Sequence, residues 1–308
     1  MPLTNYKSWS KGNSSALERI AAKTVIPAWE TSFTLSKNAN VFALGSCFAR
    51  NIEKALLSSK VNLSSADRDS EILELKINLL TGLLNKYNPV SIYQELLWAS
   101  GKEIFPDRGF VRFGDKYCDL NLRNQARKGT LEFVRQRHQQ LRQYFARALA
   151  ADLVIITFGM TETWFDQETN LALAEAPSPR LVKEYPERFV YRSLSHQQCL
   201  NTLKSTYAIL REFGQPNLKI VVTLSPVPLE RTFSGQDIIV ANTMSKSTLR
   251  SAIGEFVTET ENVDYFPSYE AAMLSDPNIV WMGDRRNVTD FIVTKIASEF
   301  INRYGLRG

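Results

Sequence analysis

The stretch from Asn40 to Ser59, NVFALGSCFARNIEKALLSS, sets the tightest constraint on what this chain can become. An apolar run, Val41-Phe42-Ala43-Leu44, stops at Gly45, and Ser46 and Cys47 follow. Phe48, Ile52 and Leu56 then recur at helical spacing, with Arg50, Glu53 and Lys54 between them. The pattern predicts a strand, a sharp turn and a helix, with a hydroxyl and a thiol on the turn. Amides at a helix N-terminus point outward and favour negative charge. A serine there can attack a carbonyl while its own amide holds the oxyanion. It can equally be the N-cap of a buried strand–helix junction. The stretch alone leaves both readings open.

The same alternation continues along the chain. Residues 1–39 are polar and irregular, a wrapping segment that carries Pro27 and Trp29. Val61-Asn62-Leu63 reads as a short second strand before a polar, acidic loop, and Ile77–Leu84 is mostly apolar. A helix is expected over Val90–Ala99, closed by Gly101, and a long amphipathic one from Leu131 to about Ala150. Leu153–Phe158 and Lys219–Leu224 read as buried parallel strands, and Ile279–Met282 as the last strand. Helices are expected over Gln197–Phe213, Asn242–Thr258 and Val288–Tyr304. Residues 102–128 and 165–195, rich in turn formers, read as irregular insertions or lids. Strands alternating with helices imply an α/β fold with a parallel sheet covered on both faces. With no repeat and no linker, one domain over residues 1–308 is the simplest organisation.

Composition narrows the function classes. The 44% hydrophobic fraction can fill a sizeable core, and no apolar run reaches the ~18 residues of a membrane span. The start, MPLTNYKSWSKGNSS, has no apolar signal-peptide core. Three scattered cysteines, Cys47, Cys118 and Cys199, show no metal spacing and fit a reducing compartment, so a cytoplasmic location is expected and no metal. The net charge of +5 is mildly basic, but the cluster at Arg123–Arg142 falls on an amphipathic helix and no nucleic-acid module is visible. The first strand–helix turn has neither GxGxxG nor a P-loop lysine.

In a parallel sheet, ligands bind beyond the carboxyl ends of the strands. Four polar turns follow expected strands: Gly45-Ser46-Cys47, Gly159-Met160-Thr161-Glu162, Ser225-Pro226-Val227-Pro228 and Gly283-Asp284-Arg285-Arg286-Asn287. The fold should bring them to one rim, which favours the catalytic reading of Ser46.

Gly45-Ser46-Cys47-Phe48-Ala49 resembles the pentapeptide that names the GSCFA family, a branch of the SGNH (GDSL-type) hydrolases. Thr157–Trp164, Leu224–Leu229 with Thr232-Phe233, Ala241–Arg250 and Tyr265–Glu270 are similar to further family blocks, and Asn88-Pro89 with Trp98-Ala99 to a weaker one. The resemblance spans about residues 40–302. It implies a flavodoxin-like three-layer α/β/α fold and a serine esterase or O-acyltransferase acting on an acylated carbohydrate, such as a bacterial surface polysaccharide. It implies no cofactor, except an acyl-CoA donor if the enzyme is a transferase.

In the family's superfamily, a serine after the first strand attacks an ester, a histidine deprotonates it, and an aspartate three residues earlier orients the histidine. Ser46 matches the nucleophile and Asp284 the aspartate, but the histidine position is Asn287. An asparagine amide cannot take the serine proton near neutral pH. The substitution fits an inactivated enzyme, a catalytically silent glycan binder, or a site served by another base. His138 is expected to be solvated on a basic helix face, and His196 to sit on the surface at a helix start. Cys47 should be a small buried residue aimed away from the nucleophile.

For the oxyanion, the resemblance implies the serine amide, a glycine amide from a second block and an asparagine side chain from a third, which Gly159-Met160-Thr161-Glu162 matches with Thr161 in the asparagine place and Gly159 as a further oxyanion or substrate contact. Asn85 or Asn88 is the candidate from the second block. Glu162 is expected to orient its loop, bind substrate hydroxyls or pair with an arginine. Arg285 and Arg286 would neutralise Asp284 or face an anionic substrate.

Overall fold

A computed structural model of the chain describes residues 7–11, 15–66 and 82–306. Its first half runs α1 (Ala16–Ala21), β1 (Val41–Gly45), α2 (Cys47–Ser58), α3 (Pro89–Ala99), β2 (Phe110–Phe113), β3 (Lys116–Asp119), α4 (Leu131–Ala146) and β4 (Leu153–Phe158). There follow β5 (Glu162–Asp166), β6 (Leu171–Ala172), α5 (Pro179–Glu184), β7 (Phe189–Ser193), α6 (His196–Phe213) and β8 (Lys219–Leu224). The chain ends with α7 (Ile238–Glu259), β9 (Val263–Tyr265), α8 (Ser268–Leu274), α9 (Pro277–Val280) and α10 (Asp290–Tyr304).

The apolar runs pair as an all-parallel sheet in the order β1-β4-β8-β9. Successive side chains of a strand point to opposite faces, so each run supplies two core layers. Phe42, Val154 and Ile220 pack with α3, α4, α6 and α7 on one face. Val41, Ile155 and Val221 pack with α2, α8 and α10 on the other. The three-layer α/β/α expectation therefore holds. Outside β1, the expected short strand at Val61–Leu63 is reduced to one parallel bridge, Leu63 to Val41. With that bridge in the second-strand place, the order is the flavodoxin-like one, with its switch point between β1 and β4.

Three expectations need correction. Ile279–Met282 is not the last strand. Pro277 opens a helical turn, the Asp276 carboxylate accepts the Asn278 amide, and Trp281 makes only a bridge to Val288. A proline at the first helical position is preorganised for a helix start, and a four-residue apolar run does not by itself separate strand from helix. The fourth strand is Val263–Tyr265, whose register runs from Ile220↔Val263 to Val222↔Tyr265. The second correction concerns residues 165–195, which are not irregular: with Glu162–Phe165 they build an antiparallel sheet, β6-β5-β7, plus α5. Residues 102–128 likewise contain the β2–β3 hairpin. Most of the apolar run at Ile77–Leu84 and the acidic loop before it lie outside the described residues; Leu83 and Leu84 are buried in the core.

Helix starts follow the side chains that can satisfy free amides. Ser195 and Gln198 form a reciprocal capping box that starts α6 at His196, and the Asp237 cap starts α7 at Ile238. The segment before β1 wraps the outer layer: the Val25 amide donates to Ser275 Oγ at 2.7 Å, and the Leu35 amide to the Tyr304 carbonyl at 2.8 Å.

Candidate functional site

The site begins with a backbone that only glycine allows. Gly45 has φ +128°, and a Cβ built there would sit 2.1 Å from the Thr157 carbonyl oxygen. This close approach of β1 to β4 turns the chain abruptly, and α2 starts two residues later. Ser46 occupies the N-cap position of α2 but its side chain caps nothing. Its Oγ is buried and has no hydrogen-bond partner among the described residues. A buried hydroxyl without a partner costs about 1–3 kcal/mol, a cost the N-cap reading of Ser46 leaves unexplained.

Gly159, at the end of β4, faces the serine. A Cβ on it would lie 3.3 Å from Ser46 Cβ and 3.1 Å from the Tyr87 carbonyl oxygen. The smallest residue therefore keeps the space beside the hydroxyl open. The two backbone amides expected for an oxyanion are already engaged, however. The Ser46 N–H donates to the Thr157 carbonyl at 3.0 Å, and the Gly159 N–H to the Tyr87 carbonyl at 2.7 Å.

A cavity of about 270 Å³ opens here, over the carboxyl ends of β1, β4 and β8. Ser46, Cys47, Asn88 and Gly159 line it from the sheet side. Arg123, Asn124 and Gln125 enter from the first insertion, and Leu173–Ala176 from the second. One wall is aromatic: Trp164 meets Phe233 edge-on, with ring centroids 5.1 Å apart. The three rim turns expected at Ser46, Gly159 and Ser225 do converge, and both insertions contribute to the cavity lining.

The fourth turn behaves differently. The Asp284 carboxylate accepts the Arg286 amide at 3.0 Å, the Asn287 amide at 2.9 Å and Asn287 Nδ2 at 2.5 Å. Those donors, the Arg286 amide first and then the Asn287 amide and side chain, hold the Asp284 carboxyl below its ordinary pKa. Asp284 and Asn287 are exposed and neither lines the cavity. Arg286 does line it, with Nη2 3.5 Å from Glu230. Arg285, held at φ +54°, turns away toward the Pro277 carbonyl and Asn278 Oδ1.

Other expected residues separate by where their hydrogen bonds go. The hydroxyl of Thr161, the expected oxyanion side chain, bonds Ser245 Oγ at 3.2 Å and Ser193 Oγ at 3.1 Å, and Thr161 does not line the cavity. Glu162 lines the cavity and orients a loop, accepting from Thr232 Oγ1 at 2.5 Å and the Phe233 amide at 3.2 Å. Asn88 Oδ1 caps α3 by accepting the Ser91 amide at 2.9 Å, a bond that leaves the Nδ2 donors of this cavity-lining residue unused. Asn85 donates to the Tyr87 hydroxyl at 3.1 Å and lies outside the cavity.

His138 is buried, not solvated, because Asp119 accepts at its Nδ1 (2.9 Å) and the rings of Phe105, Trp98 and Phe110 enclose it. His196 sits at the start of α6, part-exposed beside Glu255 at 3.5 Å. Cys47 is half-buried and lines the cavity, contrary to the expectation that it points away. Burial pushes its thiol pKa up, partly offset by Arg286 and Lys246.

Sequence reasoning missed two buried lysines. Lys86 Nζ meets Glu95 at 2.5 Å and the Asn121 carbonyl at 2.6 Å, while its amide donates to the Gly45 carbonyl at 2.8 Å. Lys246 Nζ donates to the carbonyls of Gly159, Ser225 and Val227 at 2.7–2.8 Å. The signal for Lys246 was present: it shares the buried stripe of α7 with Ala241, Ser245, Leu249 and Ile253.

A model of the GSCFA family matches residues 40–300 of the chain. Among curated proteins none matches it. Among solved structures the chain is similar to the Clostridium thermocellum family 3 carbohydrate esterase, with 9% identity over 88% of this chain and 99% of that one and a TM-score of 0.32, a likeness too distant to carry an argument. Among the described residues no helix is long and apolar enough to cross a membrane, and no group of three His, Cys, Asp or Glu could hold a metal ion.

Proposed function

The chain belongs to the GSCFA family, and on that premise we propose that it is an SGNH-like serine esterase or O-acyltransferase acting on acylated carbohydrate. One observation carries the reading: the Ser46 hydroxyl is buried and unpartnered on a cavity at the sheet's switch point, beside a glycine. Ser46 Oγ forms the new C–O bond to the acyl carbon and loses its proton. The ester C–O bond then breaks, and the sugar hydroxyl leaves with a proton. Water or a second sugar hydroxyl releases the acyl group from Ser46.

Asn88 Nδ2 is the donor we assign to the developing oxyanion, since the Ser46 and Gly159 amides are engaged. Asp284 pairs with Asn287 outside the cavity lining, and the asparagine accepts no proton, so the serine proton passes to water in the cavity. Loss of the base lowers the rate by about 10⁴- to 10⁶-fold relative to a complete triad. The aromatic wall of Trp164 and Phe233 suits the apolar face of a sugar. Lining residues from both insertions suit a sugar acceptor. With an acyl-CoA as the donor class, the C–O bond to Ser46 forms as the thioester C–S bond breaks and the thiol leaves with the proton, and a bacterial surface polysaccharide is the acceptor class. Three free cysteines fit a reducing, cytoplasmic setting.

A second reading, a non-catalytic glycan-binding or polysaccharide-assembly protein, is favoured by the engaged amides and by Asn287. Mass spectrometry of the intact chain after exposure to p-nitrophenyl acetate separates the two. An acetyl group on Ser46, lost in Ser46→Ala, supports the enzyme. No adduct, with calorimetric binding of an acetylated oligosaccharide, supports the binder.

A further inference from the structure

Lys246 is 2% exposed, and all three of its ammonium protons go to main-chain carbonyls: Gly159 at 2.7 Å, Ser225 at 2.8 Å and Val227 at 2.8 Å. Those carbonyls belong to the turns after β4 and β8, two of the three turns that line the cavity. The preceding residue acts on the same turn, since Ser245 Oγ accepts the Thr161 amide at 2.8 Å. Gly159 is the residue packed against Ser46. From these contacts we propose that Lys246 is a positioning residue whose charged ammonium staples the β4 and β8 turns together and thereby fixes Gly159 against Ser46.

The staple requires the charge, because a neutral amine has two protons for three carbonyls. Burial depresses the ammonium's pKa to about 7, against the three carbonyl hydrogen bonds that favour its charged form. Arg286, on the 282–287 turn, opposes the charged form, and Cys47, on α2, favours it only as a thiolate, which burial disfavours. On α8, the Glu270 carboxylate is already taken by Arg250 at 2.7 Å and by the Tyr265 hydroxyl at 2.7 Å. Above neutrality one carbonyl loses its donor, and the two turns are held less firmly.

The positioning claim is independent of acyl chemistry, while its effect on Ser46 rests on the reading above; the test separates them. Hydrogen exchange is measured for the amides of Gly159, Thr161, Ser225 and Val227 in the full chain at about pH 6 and about pH 8.5, bracketing the titration. Loss of one hydrogen bond should lower their protection, corrected for intrinsic rates, by about fivefold at the higher pH. Lys246→Arg should remove that pH step, and Lys246→Met should show low protection at both values. Unchanged protection in wild type across the two pH values, or the same step in Lys246→Arg, overturns the proposal. If Lys246→Met does not fold, the wild-type step and its loss in Lys246→Arg still decide it. In parallel, the rate of Ser46 labelling by a fluorophosphonate is followed in the same proteins. Labelling that falls with the exchange protection supports the link to Ser46. Absent labelling in wild type counts against the esterase reading, not against the staple.

Discussion

Asp284 grips Asn287 twice, through the main-chain amide at 2.9 Å and through Nδ2 at 2.5 Å. The position where the resemblance expects a histidine thus carries a side chain that cannot accept a proton, in a turn from which Arg286 lines the cavity. Asn287→His is expected to raise cleavage of p-nitrophenyl acetate by up to about 10⁴- to 10⁶-fold, the factor lost with a triad's base. Ser46→Ala in that background should return the rate to the uncatalysed level. A folded Asn287→His protein with no gain would remove the esterase reading.

Gly45→Ala should be among the most damaging single substitutions. The new Cβ meets the Thr157 carbonyl at 2.1 Å on a backbone with φ +128°. Steric overlap and left-handed strain together should cost about 3 kcal/mol or more, read as a lower urea midpoint.

Lys86 and Glu95 form a buried ion pair, with side chains 0% and 3% exposed. Glu95→Gln removes one charge and leaves the other buried, which should destabilise by about 3–5 kcal/mol. The double variant Lys86→Met, Glu95→Leu should recover much of that loss in chemical denaturation. Failure to recover would mean that the contact of Lys86 with Asn121, and not the charge pairing, dominates.

Acid stability should depend on Asp119. Burial raises its carboxyl pKa, but His138, Arg137 and the Asn121 amide outweigh that and hold it below the ordinary value. A depressed folded value means that the group stabilises the fold above its unfolded pKa of about 3.9, and that this stability is lost as pH falls through the folded value. Asp119→Asn should therefore be less stable at neutral pH and less sensitive to acid below about pH 4, measured by denaturation at a series of pH values.

The strands and helices that bury continuous apolar surface were legible in the chain, because a period of two or of 3.6 is written in the residues themselves. Leu153–Phe158, Lys219–Leu224 and the helix from Leu131 emerged where the pattern put them. The three-residue strand Val263–Tyr265 was too short to show a period, and the run at Ile279–Met282 looked like a strand until Pro277 and Asp276 set a helical turn before it. The β5–β7 sheet stayed hidden because its partners lie up to 31 positions apart, as in Glu162↔Ser193.

For the site, the sequence by itself determined the turn: Gly45 followed by Ser46 and a helix-spaced apolar face forces a hydroxyl to the end of the first strand. It also put Asn287 where the family resemblance expects a histidine, since that is a matter of residue identity. What surrounds the hydroxyl was decided only by tertiary structure. The Ser46 and Gly159 amides are taken by carbonyls of Thr157 and Tyr87, Thr161 turns toward Ser245, and Lys246 gathers three carbonyls from two turns. Each of these is a hydrogen bond between segments distant in the chain. Which donor finds which acceptor depends on how the layers pack, and no local pattern encodes it.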